Sequence, residues 1–299
     1  MATPASVLPV PSRYFIKPMP SSSPAAPHDV FAWVGRTERV TDVISPNLAE
    51  RMAVTLDQPV PAEGQALPLL WHWAFFQNPL PPAGLGTDGH PARGGFLPPA
   101  DGRNRMWAGG EFEFRQPLRV GLAAERHTTI EAVDEKHGRT GALLFVTLRH
   151  DYWQADTLAL RERQHIVFRA PSPPKTRDDA PVPAAQWTLP VQPDATLLFR
   201  YSAVTFNGHR IHYDHPYATA VEGYGGLVVH GPLLATLSVQ AFCQAQPRAE
   251  VRGFRYRGVR PLVLPDAFAV AGRVVAAGQA ETWVANAAGL SQQGQITFA

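Results

Sequence analysis

A chain of 299 residues, 45% hydrophobic and 10% aromatic, can bury a sizeable core as one large domain or roughly two. Its net charge of +2 comes from basic residues scattered among acidic ones, which argues against a nucleic-acid partner. The single cysteine, Cys243, excludes an internal disulfide framework and a cysteine-rich metal site, suits a reducing compartment, and reads as a small core residue within its apolar run.

Segment 1–28 is biased to Pro, Ser and Ala and reads as an extended arm, and Pro4, Pro9 and Pro11 interrupt what a secretory signal would need as an apolar helix. No stretch approaches the roughly twenty apolar residues that span a bilayer, so the expectation is a cytoplasmic protein with no membrane partner. The spacing predicts a helix over Pro46–Leu56, capped by Ser45, with Leu48, Met52 and Leu56 on one stripe. Leu69–Gln77 is apolar with three kinds of aromatic ring, and its periodicity leaves helix and strand both open. Strands are expected at Glu111–Gly121, Glu125–Asp134, Ala142–His150 and Leu158–Phe168, joined by turn residues such as Lys136-His-Gly138. A proline-rich linker over 170–187 then separates a first unit, 29–169, from a second, 188–299. In the second unit Leu197–Tyr201 and Leu227–Val229 read as buried strands, and Pro232–Cys243 as a helix apolar on most sides. Further strands are expected at Gly253–Leu264, Ala267–Ala276, Gly278–Ala285 and Gly294–Phe298. Phe112-Glu-Phe-Arg115 and Phe254-Arg-Tyr-Arg257 match in type and place, and a duplicated unit is the economical explanation. The expected class is α+β: two antiparallel sheets, each wrapped around a central helix, in a tandem double hot-dog.

Between the two apolar runs of the second unit, Tyr201–Ala218 concentrates Asn207, His209, Arg210, His212, Tyr213 and Asp214. Polar groups pressed against a core must be paired or functional. The run Asn207-Gly-His-Arg-Ile-His212-Tyr-Asp214, then Pro216-Tyr-Ala218 and Val228-Val-His-Gly231, resembles the motif of the MaoC-like, (R)-specific enoyl-CoA hydratase family. That motif reads D-x-N-P-L/I-H-x-D, a proline and an alanine, then V-x-H-G entering the central helix. In the first unit, Trp33–Glu38, Leu70–Trp73, Gly89–Pro98 and Arg105–Gly110 resemble the N-terminal half of fungal-synthase-like dehydratases. The whole, from residue 30 onward, is similar to the mesaconyl-C4-CoA and itaconyl-CoA hydratase group and to type 2 hydroxyacyl-thioester dehydratases.

The resemblance implies hydro-lyase chemistry on an acyl-CoA thioester, with no cofactor and no metal. Adding water to an enoyl thioester needs a base for the water, an acid for the α carbon, and donors for the thioester oxygen as enolate character develops. His212 is the expected base, since an imidazole with pKa near about 6.5 exchanges protons near neutrality. Gly231 would offer its backbone N–H to the oxyanion at a helix N-terminus. One departure stands out: the aspartate five residues before the histidine is Asn207 here, which cannot serve as a carboxylate base and is expected to orient water or hold substrate. His209-Arg210 replaces Asn-Pro, and Asp214 before Pro216 reads as a cap.

Each remaining residue has two readings. Arg210 would either neutralise the free carboxylate of a dicarboxylic acyl group or form a structural ion pair. Arg93, in the glycine-rich Gly89–Pro98 segment, suits a CoA phosphate or carboxylate, or is a loop residue. His230 is expected to shape the turn before the helix, and Trp71, beside His72 and Trp73, to serve the core or line the acyl pocket. His209 and His212 lack the further ligands a metal site would need. Only the second unit carries the histidine motif, so one active site is expected, with pocket walls lent by the first, and a homodimer would cover open strand edges. Three functions stay open: hydration of a short dicarboxylyl-CoA, dehydration in fatty-acid synthesis, and noncatalytic acyl-CoA binding.

Overall fold

Successive side chains of a strand face opposite ways, so alternating sequences make sheets with one wet and one packed face. The computed structural model describes residues 29–100, 102–138 and 141–299, and the arm expected over 1–28 lies outside them. From the first half come β1 (Thr37–Val43), β2 (Asn104–Phe114), β3 (Ala123–Gly138), β4 (Gly141–Gln154) and β5 (Thr157–Arg169). The second half adds β6 (Trp187–Val191), β7 (Val251–Gly258), β8 (Phe268–Ala276), β9 (Gln279–Asn286) and β10 (Gly289–Phe298). Lys136-His-Gly138 is not the turn expected there, because β3 continues through it in register with β4.

The ten strands form one antiparallel sheet in the order β1-β3-β4-β5-β2-β7-β10-β9-β8-β6. Counted outward from the β2/β7 seam, each half has the same order, as a duplicated unit requires. The two matched sequence stretches meet at that seam, Phe112 opposite Phe254 and Gly110 opposite Tyr256. A Cβ at Gly109 would collide with the Tyr256 carbonyl, so glycine there permits the close pairing. The fold is a double hot-dog whose two sheets are joined edge to edge.

The sheet wraps α3 (Gly231–Ala245) in the second half, and every residue from Pro232 to Val239 is buried. Burying Leu233, Leu234, Leu237 and Phe242 contributes on the order of 2 kcal/mol each. In front of it lies α2 (Ala195–Val204), where a buried strand was expected. Asp194 Oδ1 accepts from the Leu197 N–H at 2.7 Å, and Leu198, Tyr201, Ser202 and Val204 fall on one helical face, so capping and a period of 3.6 override the β-like composition. Leu227–Val229 likewise makes only an isolated bridge, Val228 to Val263.

Among the described residues no long helix fills the first half. α1 (Pro46–Thr55) forms as its cap and stripe predict, with Ser45 Oγ accepting from the Leu48 N–H at 3.4 Å. Leu69–Gln77 makes only a 3-10 turn, Trp71–Ala74, because Leu70 and Phe76 hold φ of 67° and 60°, which a helix cannot accommodate. Trp71, Phe75 and Phe76 pack that hollow instead. Behind them the buried Glu162 carboxylate accepts from Trp73 Nε1 at 3.0 Å, Tyr152 Oη at 2.9 Å and His72 Nε2 at 3.2 Å. Burial pushes Glu162 upward, but the His72 hydrogen bond and the neighbouring His150 and Trp73 outweigh it and hold the group at about 2. Among the described residues no helix is long and apolar enough to cross a membrane.

Candidate active site

The polar run after α2 is pinned at both ends before it presents any side chain. Asn207 Oδ1 accepts from the His209 N–H at 3.0 Å, tightening the chain into a 3-10 turn, Arg210–His212. The turn is held from the first half by a loop whose Asp88 carbonyl accepts from the Arg210 N–H at 2.9 Å. Gly89, at φ 86°, and Gly208 touch backbone to backbone, and a Cβ at Gly89 would collide with the Gly208 carbonyl. This contact brings in His90, which no local pattern marked.

His212 is buried, and its Nδ1–H donates to the Val228 carbonyl at 2.7 Å. A carbonyl only accepts, so the proton sits on Nδ1 and Nε2 keeps its lone pair. Val228 is itself fixed, its N–H on the Ile211 carbonyl at 2.9 Å. The His212 ring stacks on His230 with centroids 3.6 Å apart, and His209 stands edge-on to it at 5.5 Å. His90 packs on His209 at 4.3 Å, so four imidazoles adjoin in sequence. Burial, then the charge of His209, lowers His212 to about 3, against the opposing hydrogen bond to Val228. Burial and then Arg105 bring His209 to about 4. His90 and His230 are also held well below the ordinary imidazole value, chiefly by burial. All four are neutral at pH 7, and among the described residues no group of side chains is arranged to hold a metal ion.

His230 stands at the N-terminal cap position of α3, with Nε2 at 2.8 Å from Ser202 Oγ on α2. Gly231 follows at once, so the first amide of α3 lies one residue from the ring stacked on His212. A Cβ at Gly231 would meet nothing within 4 Å, which leaves open space before the helix N-terminus. Pro232 contributes no N–H, and the helix dipole favours negative charge at this end.

The arginines expected at the substrate are committed elsewhere. Arg210 donates to Asp214 Oδ2 through Nε and Nη2 at 3.0 and 2.8 Å, and to the Thr87 carbonyl at 3.0 Å. Asp214 in turn accepts from the Tyr217 N–H at 3.1 Å, the cap its position suggested. Arg93 donates to the Ala100 carbonyl at 2.7 Å and faces Asp88 at 3.8 Å. Trp71 is a core residue, 2% exposed. A cleft of about 410 Å³ lies by Glu111, Arg161, Arg255 and Glu281, and it shares no residue with the histidines.

The family model for hydroxyacyl-thioester dehydratase type 2 matches residues 70–264. A mesaconyl-C(4)-CoA hydratase of Chloroflexus aurantiacus is 46% identical over 239 residues, spanning 78% of this chain and 85% of that protein. The chain belongs to the hydroxyacyl-thioester dehydratase type 2 family. This member is therefore an enzyme of the hydro-lyase kind. Its fold is shared with a MaoC-like dehydratase from Phytophthora capsici, 13% identical, with a TM-score of 0.66 over 90% of this chain and 97% of the other. A Mycobacterium tuberculosis protein described as a double hotdog fold, 14% identical, has a TM-score of 0.51 over 89% of this chain and 96% of its own.

Within this member of the family, Ser202, His90 and the Val228 carbonyl complete a site whose centre the histidine motif already marked. Val228 stands in the motif itself, but the other two were not readable locally: Ser202 needed a helix at α2, and His90 lies more than a hundred residues from its partner.

Proposed function

We propose that the chain is an acyl-CoA hydratase, adding water reversibly across the double bond of an enoyl thioester, with mesaconyl-C4-CoA or itaconyl-CoA as substrate and a citramalyl-type CoA as product. The observation that carries this reading is the His212 Nδ1–H bond to Val228 at 2.7 Å, which commits Nε2 to be the proton acceptor beside the α3 N-terminus. The 46% identity to a mesaconyl-C(4)-CoA hydratase supports the acyl group.

With mesaconyl-C4-CoA as substrate, Nε2 of His212 takes a proton from water as the oxygen adds to the β carbon. Charge passes through the α carbon to the thioester oxygen, where the Gly231 N–H stabilises it, a donor of the kind worth on the order of 3 kcal/mol of barrier. The imidazolium that results is packed against His230 in a buried site, so it is a strong acid and returns its proton to the α carbon. Asn207, with Oδ1 already on the His209 N–H, acts through Nδ2 or by holding the turn that aims His212. His230 and Ser202 set the stacking plane. The partner is the acyl-CoA thioester. We also propose a cytoplasmic enzyme, in keeping with the lone Cys243, and a homodimer, since β1 and β6 end the sheet with open edges.

The test is turnover of itaconyl-CoA, mesaconyl-C4-CoA, crotonyl-CoA and octenoyl-CoA, followed by chromatography of the hydrated thioester. The first two should react. Turnover of octenoyl-CoA with neither dicarboxylyl substrate would favour a fatty-acid dehydratase instead, and thioester binding without turnover would mean a noncatalytic module.

A further inference from the structure

Three arginines border the histidine cluster, and two are spoken for. Arg210 is held by Asp214 and Thr87, and Arg93 by Ala100 and Asp88. Arg105 has neither a carboxylate in contact nor a hydrogen bond among the described residues. Its strand places it inward. Arg105 pairs with Phe168 and Trp107 with Ile166, and both partners are core residues on the inner face of β5, the face that also carries Glu162. The Arg93 guanidinium lies over the same Phe168 ring at 5.8 Å. Arg105 therefore stands where the start of β2 meets the loop that carries Asp88, His90 and Arg93.

No carboxylate is dedicated to Arg105. Asp88 is the carboxylate that acts on Arg105, and it is shared with Arg93. The four histidines are neutral at pH 7, and Glu222, which accepts from Asn104 and Tyr217, makes no ion pair with Arg105. Burial lowers Arg105 to about 10, against the pull of Asp88, yet the side chain keeps some accessible surface. A partly buried guanidinium with no carboxylate in contact is free to take an anionic group of a ligand.

We propose that Arg105 binds the free carboxylate of a dicarboxylyl thioester and so sets the preference for such substrates over neutral enoyl-CoA; the inference rests on the hydratase reading above. The chemistry locates the anchor. In a mesaconyl-C4 thioester the free carboxylate is bonded to the β carbon, the same carbon that receives the hydroxyl, so its partner must stand beside the base. Arg105 meets that requirement: it shares Phe168 with Arg93 of the loop that carries His90, and His90 packs on His209, which touches His212. CoA phosphates lie many bonds from the reacting carbon, and a cation next to the base is misplaced for them. A planar guanidinium also suits a carboxylate bidentately.

Crotonyl-CoA lacks the free carboxylate of mesaconyl-C4-CoA, so the ratio of the two activities reports on its anchor. In the full chain, Arg105→Gln should lower kcat/KM for mesaconyl-C4-CoA by about 100-fold, mostly through KM, while crotonyl-CoA stays within about threefold of wild type. Arg105→Lys should recover part of the loss on mesaconyl-C4-CoA alone, and it carries the test if the glutamine variant melts early. An equal loss on both substrates, or no loss on mesaconyl-C4-CoA, overturns the inference. A wild-type enzyme inactive on both overturns instead the hydratase reading beneath it.

Discussion

Lowering the pH from 8 to 5 should destabilise this protein through its buried histidines. An unfolded chain protonates each imidazole near about 6.5, whereas the folded chain holds His209 to about 4 and His212 to about 3. Between those limits the unfolded state binds more protons, so stability falls as pH falls, and the loss is complete only below the folded values. At pH 5 the unfolded histidines are almost fully charged and the folded ones almost fully neutral, which makes the loss about 2 kcal/mol for each, or about 4 kcal/mol for the pair. His90, His230 and His150 shift in the same direction and add to it. Carboxylates contribute little in this window, and Glu162, held at about 2, almost nothing. Urea unfolding at pH 8, 7, 6 and 5 reads the effect as a falling midpoint at constant m. In His209→Gln the same acidification should cost about 2 kcal/mol less. A midpoint that stays level from pH 8 to 5, or a variant with the wild-type slope, would mean that the histidines are hydrated or charged in the folded state.

Two substitutions separate the catalytic centre from the scaffold. Gly231→Ala adds a methyl where nothing stands within 4 Å, so its urea midpoint should match wild type to within about 0.5 kcal/mol of stability; its kcat/KM should nonetheless fall by about 100-fold as the methyl blocks approach to the amide. Unaltered activity would remove Gly231 from the oxyanion site. Glu162→Gln places an amide where three donors converge, and should cost about 3 kcal/mol in urea unfolding while leaving KM unchanged. A midpoint equal to that of wild type would show that those donors find other acceptors.

Much of the second half was legible in its residues because local rules and tertiary packing agree there. Pro232 and an apolar circumference specify α3, and the strands alternate as they pair. Duplication was visible in Phe112–Arg115 and Phe254–Arg257, but not that these stretches would pair and fuse two sheets into one. That outcome depends on Gly109 allowing close approach, a tertiary fact. The first half misled where composition and geometry part company: Leu69–Gln77 has the apolarity of a central helix, but two left-handed residues break it. At the site, His212 and the Gly231 entrance came from two nearby parts of one motif. Of the two readings open for Arg210, the structural ion pair is the one seen, with Asp214 four residues on. Arg105, on a distant strand, had no local mark of its role.

The account stands or falls on His212 as the base of the hydration step. The direct measurement is steady-state hydration of mesaconyl-C4-CoA by His212→Asn, whose amide can still donate to the Val228 carbonyl and so hold the turn. A kcat lowered by about 1,000-fold, with KM and melting temperature close to wild type, is the predicted result. A kcat within about threefold of wild type would place the proton transfer on another group and contradict the mechanism.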